Sequence, residues 1–217
     1  MIDIANEIAA VQRETGGGRL GATEARTVTL RRTYPAPVAE VWDALTDPER
    51  IGRWFLPITG DFRLGGTYQF EGNSGGRIVA CDAPNRLKVT WMMGPAGDAP
   101  PSEVEVRLQA AGDDRTELHL AHVAVVPDEF WDQYGPGAVG VGWEGGLLGL
   151  ELHLSGGSIS DPIAWQLSDE GRAFNTRSSL AWGEAHRAAG ADDDVVARTV
   201  ANTTAFYAPD PETAGAG

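Results

Sequence analysis

The chain has 217 residues, 42% of them hydrophobic, and a formal net charge of −14. That length fits one domain with appendages, or two small domains at most. The acidic balance argues against nucleic acid and anionic membranes as partners, since both reward clusters of Lys and Arg, and no apolar run approaches the ~18 residues of a membrane span.

A single cysteine, Cys81, leaves no intrachain disulfide framework and suits a reducing, cytoplasmic compartment. The first residues, Met1 to Glu14, are mixed and charged, unlike the basic start and apolar run of a signal peptide. All but one (Lys88) of the 17 basic residues are Arg, and Ala and Gly are abundant, as in proteins encoded by GC-rich bacterial genomes.

In chain order, Ile2, Ile4, Ile8 and Val11 allow a short helix or an edge strand, which Gly16-Gly17-Gly18 is expected to break. Residues 1–25 are therefore read as a mobile N-terminal arm that packs on the rest. Thr27 to Tyr34 alternates: Val28, Leu30 and Tyr34 share one face, while Thr27, Thr29, Arg31 and Thr33 share the other. This is the period of a strand with one buried face, and Arg32 stands out of place on that face. Pro35 and Pro37 end it. Val38, Val41, Trp42 and Leu45 then follow helical spacing behind Pro37. Asp47 caps a second short helix with Pro48 in its first turn, and that helix delivers Trp54 and Phe55.

A series of strands follows: Ile58 to Phe62, Thr67 to Glu71, Arg77 to Asp82, Arg86 to Met93, Glu103 to Ala110 and Thr116 to Val125. Short turns at Gly65-Gly66, Gly72 to Gly76, Pro84-Asn85 and Gly112 to Asp114 join most of them, as in an antiparallel meander. A loop from Gly94 to Pro101 carries three prolines and two glycines. Leu87, Val89, Trp91 and Met93 share one face, as do Val104, Val106 and Leu108, and Leu118, Leu120 and His122. Residues from about Gly137 to Leu154 have helical spacing through Trp143, Leu147, Leu150 and Leu154. The many glycines of this helix imply close backbone approach on its contacting side. Residues 157–217 add Gly171 to Ala189, with Gly190 as a C-terminal cap, and a helix opened by Asp192 to Asp194. These helices are too small to hold a core alone. They must cover the sheet, the arm or a second subunit, which leaves a homodimer open. The chain end is read as disordered.

Catalytic and metal-binding patterns are missing. His119, His122, His153 and His186 lack metal-ligand spacing, and no metal or cofactor is expected. No glycine-rich piece ends in Gly-Lys-Ser/Thr or precedes a helix as a phosphate loop does. Cys81 has no neighbouring histidine, and no nucleophile elbow occurs.

The strand followed by Pro37-x-x-x-Val41-Trp42-Asp43-Ala44-Leu45-Thr46-Asp47-Pro48-Glu49-x-Ile51-x-x-Trp54 resembles the START-like superfamily, which includes the birch-pollen-allergen-like proteins. Within it the pattern is similar to the branch of homologues of the activator of the heat-shock protein ATPase. Gly65-Gly66-Thr67-Tyr68, Arg86 to Trp91 and Val141-Gly142-Trp143-Glu144 fall where that family has its own versions. The resemblance covers residues 26–156. It implies an α+β helix-grip fold: a curved antiparallel sheet wrapped around a long C-terminal helix, with two short helices after the first strand. It implies a cavity between sheet and helix and no catalytic residue set.

In such a fold Trp54, Phe55, Phe70, Trp91, Met93, Trp143 and Leu147 would line the cavity rather than fill a core. Arg32, Arg77, His122 and Glu144 are the candidate polar groups. Of these, Arg77 and His122 join the expected ligand-binding set. The expected function is binding of a small hydrophobic or aromatic molecule without chemistry. An aromatase/cyclase-like or hydratase-like enzyme and a co-chaperone-like interaction protein are the alternatives.

Overall fold

The computed structural model describes residues 2–93 and 100–209. Most of the proline-rich loop expected at 94–101, and the chain end expected to be disordered, lie outside these residues.

The elements run α1 (Ile4–Ala9), β1 (Gln12–Leu20), β2 (Thr23–Tyr34), α2 (Val38–Thr46), α3 (Pro48–Trp54), β3 (Ile58–Gly60), β4 (Thr67–Phe70), β5 (Gly75–Asp82), β6 (Arg86–Thr90), β7 (Ser102–Ala110) and β8 (Thr116–Ala124). They continue with α4 (Asp128–Tyr134), α5 (Gly137–Leu154), α6 (Pro162–Leu167), α7 (Asp169–Ala188) and α8 (Asp193–Tyr207). One eight-stranded sheet has the order β1-β2-β8-β7-β6-β5-β4-β3, with every neighbouring pair antiparallel. It curves around α5, which is the helix-grip arrangement.

Local chemistry explains the elements beside the helix. The Asp47 carboxylate accepts hydrogen bonds from the backbone N–H groups of Glu49 and Arg50, so it caps α3 as the sequence predicts. The β2–β8 register sets Val28 opposite His122, Leu30 opposite Leu120 and Arg32 opposite Leu118. The inward residues of both central strands are therefore buried together.

The arm differs from expectation. Gly16, Gly17 and Gly18 do not break the segment; they lie inside β1, which pairs with β2 from Gln12 opposite Arg31 to Leu20 opposite Thr23. The sheet therefore gains an edge strand, and the two short helices follow β2 rather than the first strand. Glycine serves here because a Cβ at Gly18 would lie 2.4 Å from the Thr27 hydroxyl oxygen.

Two ion pairs clamp this arm to α5. The Arg13 guanidinium donates to both carboxylate oxygens of Glu144 at 2.6 and 2.7 Å, and also to the carbonyls of Ile8 and Val11. The Glu144 side chain is 1% exposed. Arg32 lies between Glu7 of α1 at 2.7 Å and Glu151 of α5 at 3.2 Å. Its guanidinium also stacks 5.3 Å from the Tyr34 ring centre. The charge that looked out of place on a buried strand face is thus paired from both sides.

The C-terminal helices close over the same side. Trp182 of α7 is buried against α5, where a Cβ at Gly140 would fall 2.1 Å from its ring. The Tyr207 hydroxyl of α8 donates to the Ala138 carbonyl at 2.6 Å. Helices α4 and α6, which the sequence pattern did not suggest, link these layers.

Candidate functional site

Between the sheet and the other side of α5 lies a cavity of about 420 Å³. Helices α2 and α3 form its roof through Trp42, Leu45, Ile51, Trp54 and Phe55. The floor comes from the inward positions of the sheet: Phe70, Ile78, Leu87, Val89, Trp91, Val104, Val106, Leu118 and Leu120. Helix α5 supplies Trp143, Gly146, Leu147 and Leu150 as the back wall. The mouth is rimmed by Phe62, Arg63 and Leu64 of the β3–β4 loop and by Cys81 and Ala83 at the end of β5, and Phe62, Leu64 and Cys81 are exposed.

The placing of each wall residue follows from strand parity. On β5 the inward residues Gly76 and Ile78 are followed by one extra residue before Ala80, and the shifted register turns Cys81 toward the mouth. The aromatic groups form a connected wall: Phe55 meets Phe70 edge-on at 4.9 Å, and Trp91 meets Trp143 at 4.8 Å.

Several polar groups along the cavity are engaged within the chain. The Trp54 indole donates to the Ala44 carbonyl, the Thr46 hydroxyl to the Trp42 carbonyl, and the Tyr68 hydroxyl to the Thr90 carbonyl. Burial holds the Tyr68 phenol well above its usual pKa, so it stays neutral. Arg63, the one charged residue lining the cavity among the described residues, lies at the mouth and pairs with Asp61 at 2.6 Å.

Six of the expected residues (Trp54, Phe55, Phe70, Trp91, Trp143 and Leu147) come together around this space. Three do not line it. Arg77 follows inward Gly76, so parity sends it to solvent, where it donates to the Gly65 carbonyl. Met93 is 60% exposed, because β6 stops at Thr90 and the alternation does not carry on to it. His122 is buried behind the wall and faces a separate void of about 30 Å³ with Arg26 and Trp131. Arg32 and Glu144, also considered as polar contacts for a ligand, are taken up by the arm's Glu7 and Arg13.

The bonds of His122 fix its chemistry. Trp143 Nε1, a donor only, is 3.0 Å from His122 Nδ1. Nδ1 must therefore accept, which puts the proton of the neutral ring on Nε2, facing Ser102 Oγ at 2.6 Å. Burial pushes the imidazole pKa down to about 4, so the ring is neutral near pH 7. In this tautomer Nε2 donates to Ser102 and offers no lone pair to activate the hydroxyl as a nucleophile. The group acts instead as a fixed bracket for the Trp143 ring.

Sequence reasoning omitted Leu87, Val89, Val104, Val106, Leu118 and Leu120 from the site, although their alternation marked them as inward. It also missed the rim at Phe62 and Leu64, which alternation cannot find because the rim is a loop. Among the described residues no three His, Cys, Asp or Glu side chains gather closely enough to hold a metal ion, and no helix is long and apolar enough to cross a membrane.

A curved antiparallel sheet gripping one long helix over an apolar cavity defines a helix-grip protein of the START-like class. Within that class, the chain belongs to the family described as activator of Hsp90 ATPase homolog 1-like protein, whose sequence model matches residues 35–154. Crystal and solution structures of CalU16 from Micromonospora echinospora are 36% and 35% identical to the chain, with TM-scores of 0.64 and 0.67. These matches cover 82% and 83% of this chain and 99% and 97% of CalU16. They span more than the family core, so part of the terminal elements is shared with that protein too. EF2215 from Enterococcus faecalis, a protein of unknown function, is 14% identical with a TM-score of 0.57. That match covers 85% of this chain and 95% of EF2215, and it shows a common fold alone. No curated protein matches the chain.

Proposed function

We propose that the protein binds a small, uncharged hydrophobic or aromatic molecule in this cavity and performs no chemistry on it. The observation that carries the reading is the space itself: about 420 Å³ with an apolar interior wall. That volume lies within the roughly 300–1,000 Å³ usual for small-molecule sites. A charged group taken inside would lose its hydration and find no partner. A polar end of the ligand would therefore sit at the mouth, near Arg63 and Asp61. The His122 tautomer supports binding over acid–base catalysis, since the one imidazole beside the cavity is committed to Trp143 and Ser102. The exposed, unpaired thiol of Cys81 suits a reducing, cytoplasmic setting.

Titration with the neutral fluorophore N-phenyl-1-naphthylamine tests the reading. The expected result is saturable one-to-one binding with quenching of tryptophan emission, because Trp42, Trp54, Trp91 and Trp143 all line the cavity. A fluorophore that never saturates, or that binds without touching the tryptophan signal, overturns it.

A further inference from the structure

Helix α5 carries six glycines, and four of them have a packing reason. A Cβ would lie 2.8 Å from Thr203 at Gly137, 2.1 Å from Trp182 at Gly140, 3.1 Å from the Tyr207 hydroxyl at Gly142, and 2.6 Å from the Trp54 carbonyl at Gly149. Two glycines have room. At Gly145 nothing lies within 4 Å of an added Cβ, and at Gly146 the nearest atom is Phe55 Cε2 at 3.7 Å, an ordinary contact. Alanine at either position would strengthen the helix, since glycine is the weaker helix former. The two differ in what they face: Gly146 lines the cavity and Gly145 does not.

We propose that Gly146 sets the size of molecule the cavity accepts. Its bare backbone leaves room on the back wall for a neutral, multi-ring ligand, between Phe55 of the roof and Trp143 one turn earlier on α5. An added Cβ there touches only the Phe55 ring, at 3.7 and 3.8 Å, and a longer side chain would project into the region the ligand fills. This inference rests on the ligand-binding reading above and narrows it to molecules large enough to need the room beside Gly146.

The test compares the wild type with Gly145→Ala, Gly146→Ala and Gly146→Leu, using N-phenyl-1-naphthylamine as the larger probe and naphthalene as a smaller competitor. Both alanine variants should melt about 2–4 °C above the wild type. Gly145→Ala should bind the larger probe unchanged. Gly146→Ala should bind it roughly tenfold more weakly while still binding naphthalene, and Gly146→Leu should lose the larger probe altogether. Equal affinity in the wild type and Gly146→Ala overturns the proposal, and so does a fall in melting temperature for Gly146→Ala, which would give that glycine a packing role. Should the leucine variant fail to fold, the alanine pair decides alone. A wild type that binds neither probe is a different outcome: it removes the ligand-binding reading itself.

Discussion

The two sides of α5 are built on opposite plans. On one side Gly140, Glu144 and Glu151 meet Trp182, Arg13 and Arg32, and the space is filled with close packing and paired charge. On the other, Trp143, Gly146, Leu147 and Leu150 face the cavity, and the Trp143 indole bonds to His122. What separates the two sides is how closely the second layer packs. The arm and the C-terminal helices pack directly against the filled side, whereas α2, α3 and the sheet stand back from the other side and leave the cavity.

The largest effect should come from breaking the filled side's central ion pair. Arg13→Ala leaves the Glu144 carboxylate buried without its partner and should cost about 3–5 kcal/mol, read from urea unfolding. Replacing Arg13 and Glu144 together by Met should recover most of that, because a buried pair exchanged for apolar groups is often neutral. A loss near zero for the single variant would mean that α1 and β1 are held by packing alone.

Acid should weaken the boundary between the two sides. The folded His122 pKa is depressed to about 4 from an ordinary 6.5. Its contribution is complete above pH 6.5. As the pH falls from there toward 4, the unfolded chain takes up a proton that the folded ring refuses, so stability drops, by about 3 kcal/mol at most. His119, His153 and His186 are shifted in the same direction. The difference between wild type and His122→Gln in unfolding free energy at pH 7 and pH 5 isolates the one residue. Equal slopes in the two proteins would remove His122 from the account.

Two single methyl groups give the smaller contrasts. Gly140→Ala pushes a Cβ into the Trp182 ring on the filled side and should cost about 1–3 kcal/mol in thermal unfolding. Gly145→Ala meets nothing and should gain up to about 1 kcal/mol. If the two shift stability alike, the glycines of α5 are not sorted by what they touch.

Much of the frame was legible. The alternation of Val28, Leu30 and Tyr34, the Asp47-Pro48 cap and the inward sets on β6, β7 and β8 are local patterns, and local geometry honours them. The bounds of α5 matched its periodicity despite the glycines. Arg32 was legible only as an anomaly, because its partners Glu7 and Glu151 lie far away in sequence. Arg77 and Met93 were misplaced because one depends on the parity of β5 and the other on where β6 ends. Gly16 to Gly18 misled because glycine can mark a break or sit inside a strand, and only the pairing with β2, close at Gly18, distinguishes them.

The sequence by itself determined the strands from β2 onward, the helices α2, α3 and α5 and most of the inward-facing wall, since these follow from periodicity, capping and turn chemistry within a few residues; the class of fold came from the family resemblance of Pro37 to Trp54. Tertiary structure alone decided which face of α5 is filled and which is left open. It also decided that Arg32, Glu144 and His122 serve the frame rather than the cavity. That choice depends on side chains meeting across more than a hundred residues of chain, as Arg13 meets Glu144, and on the close approach of Gly140 to the Trp182 ring, neither of which leaves a periodic trace.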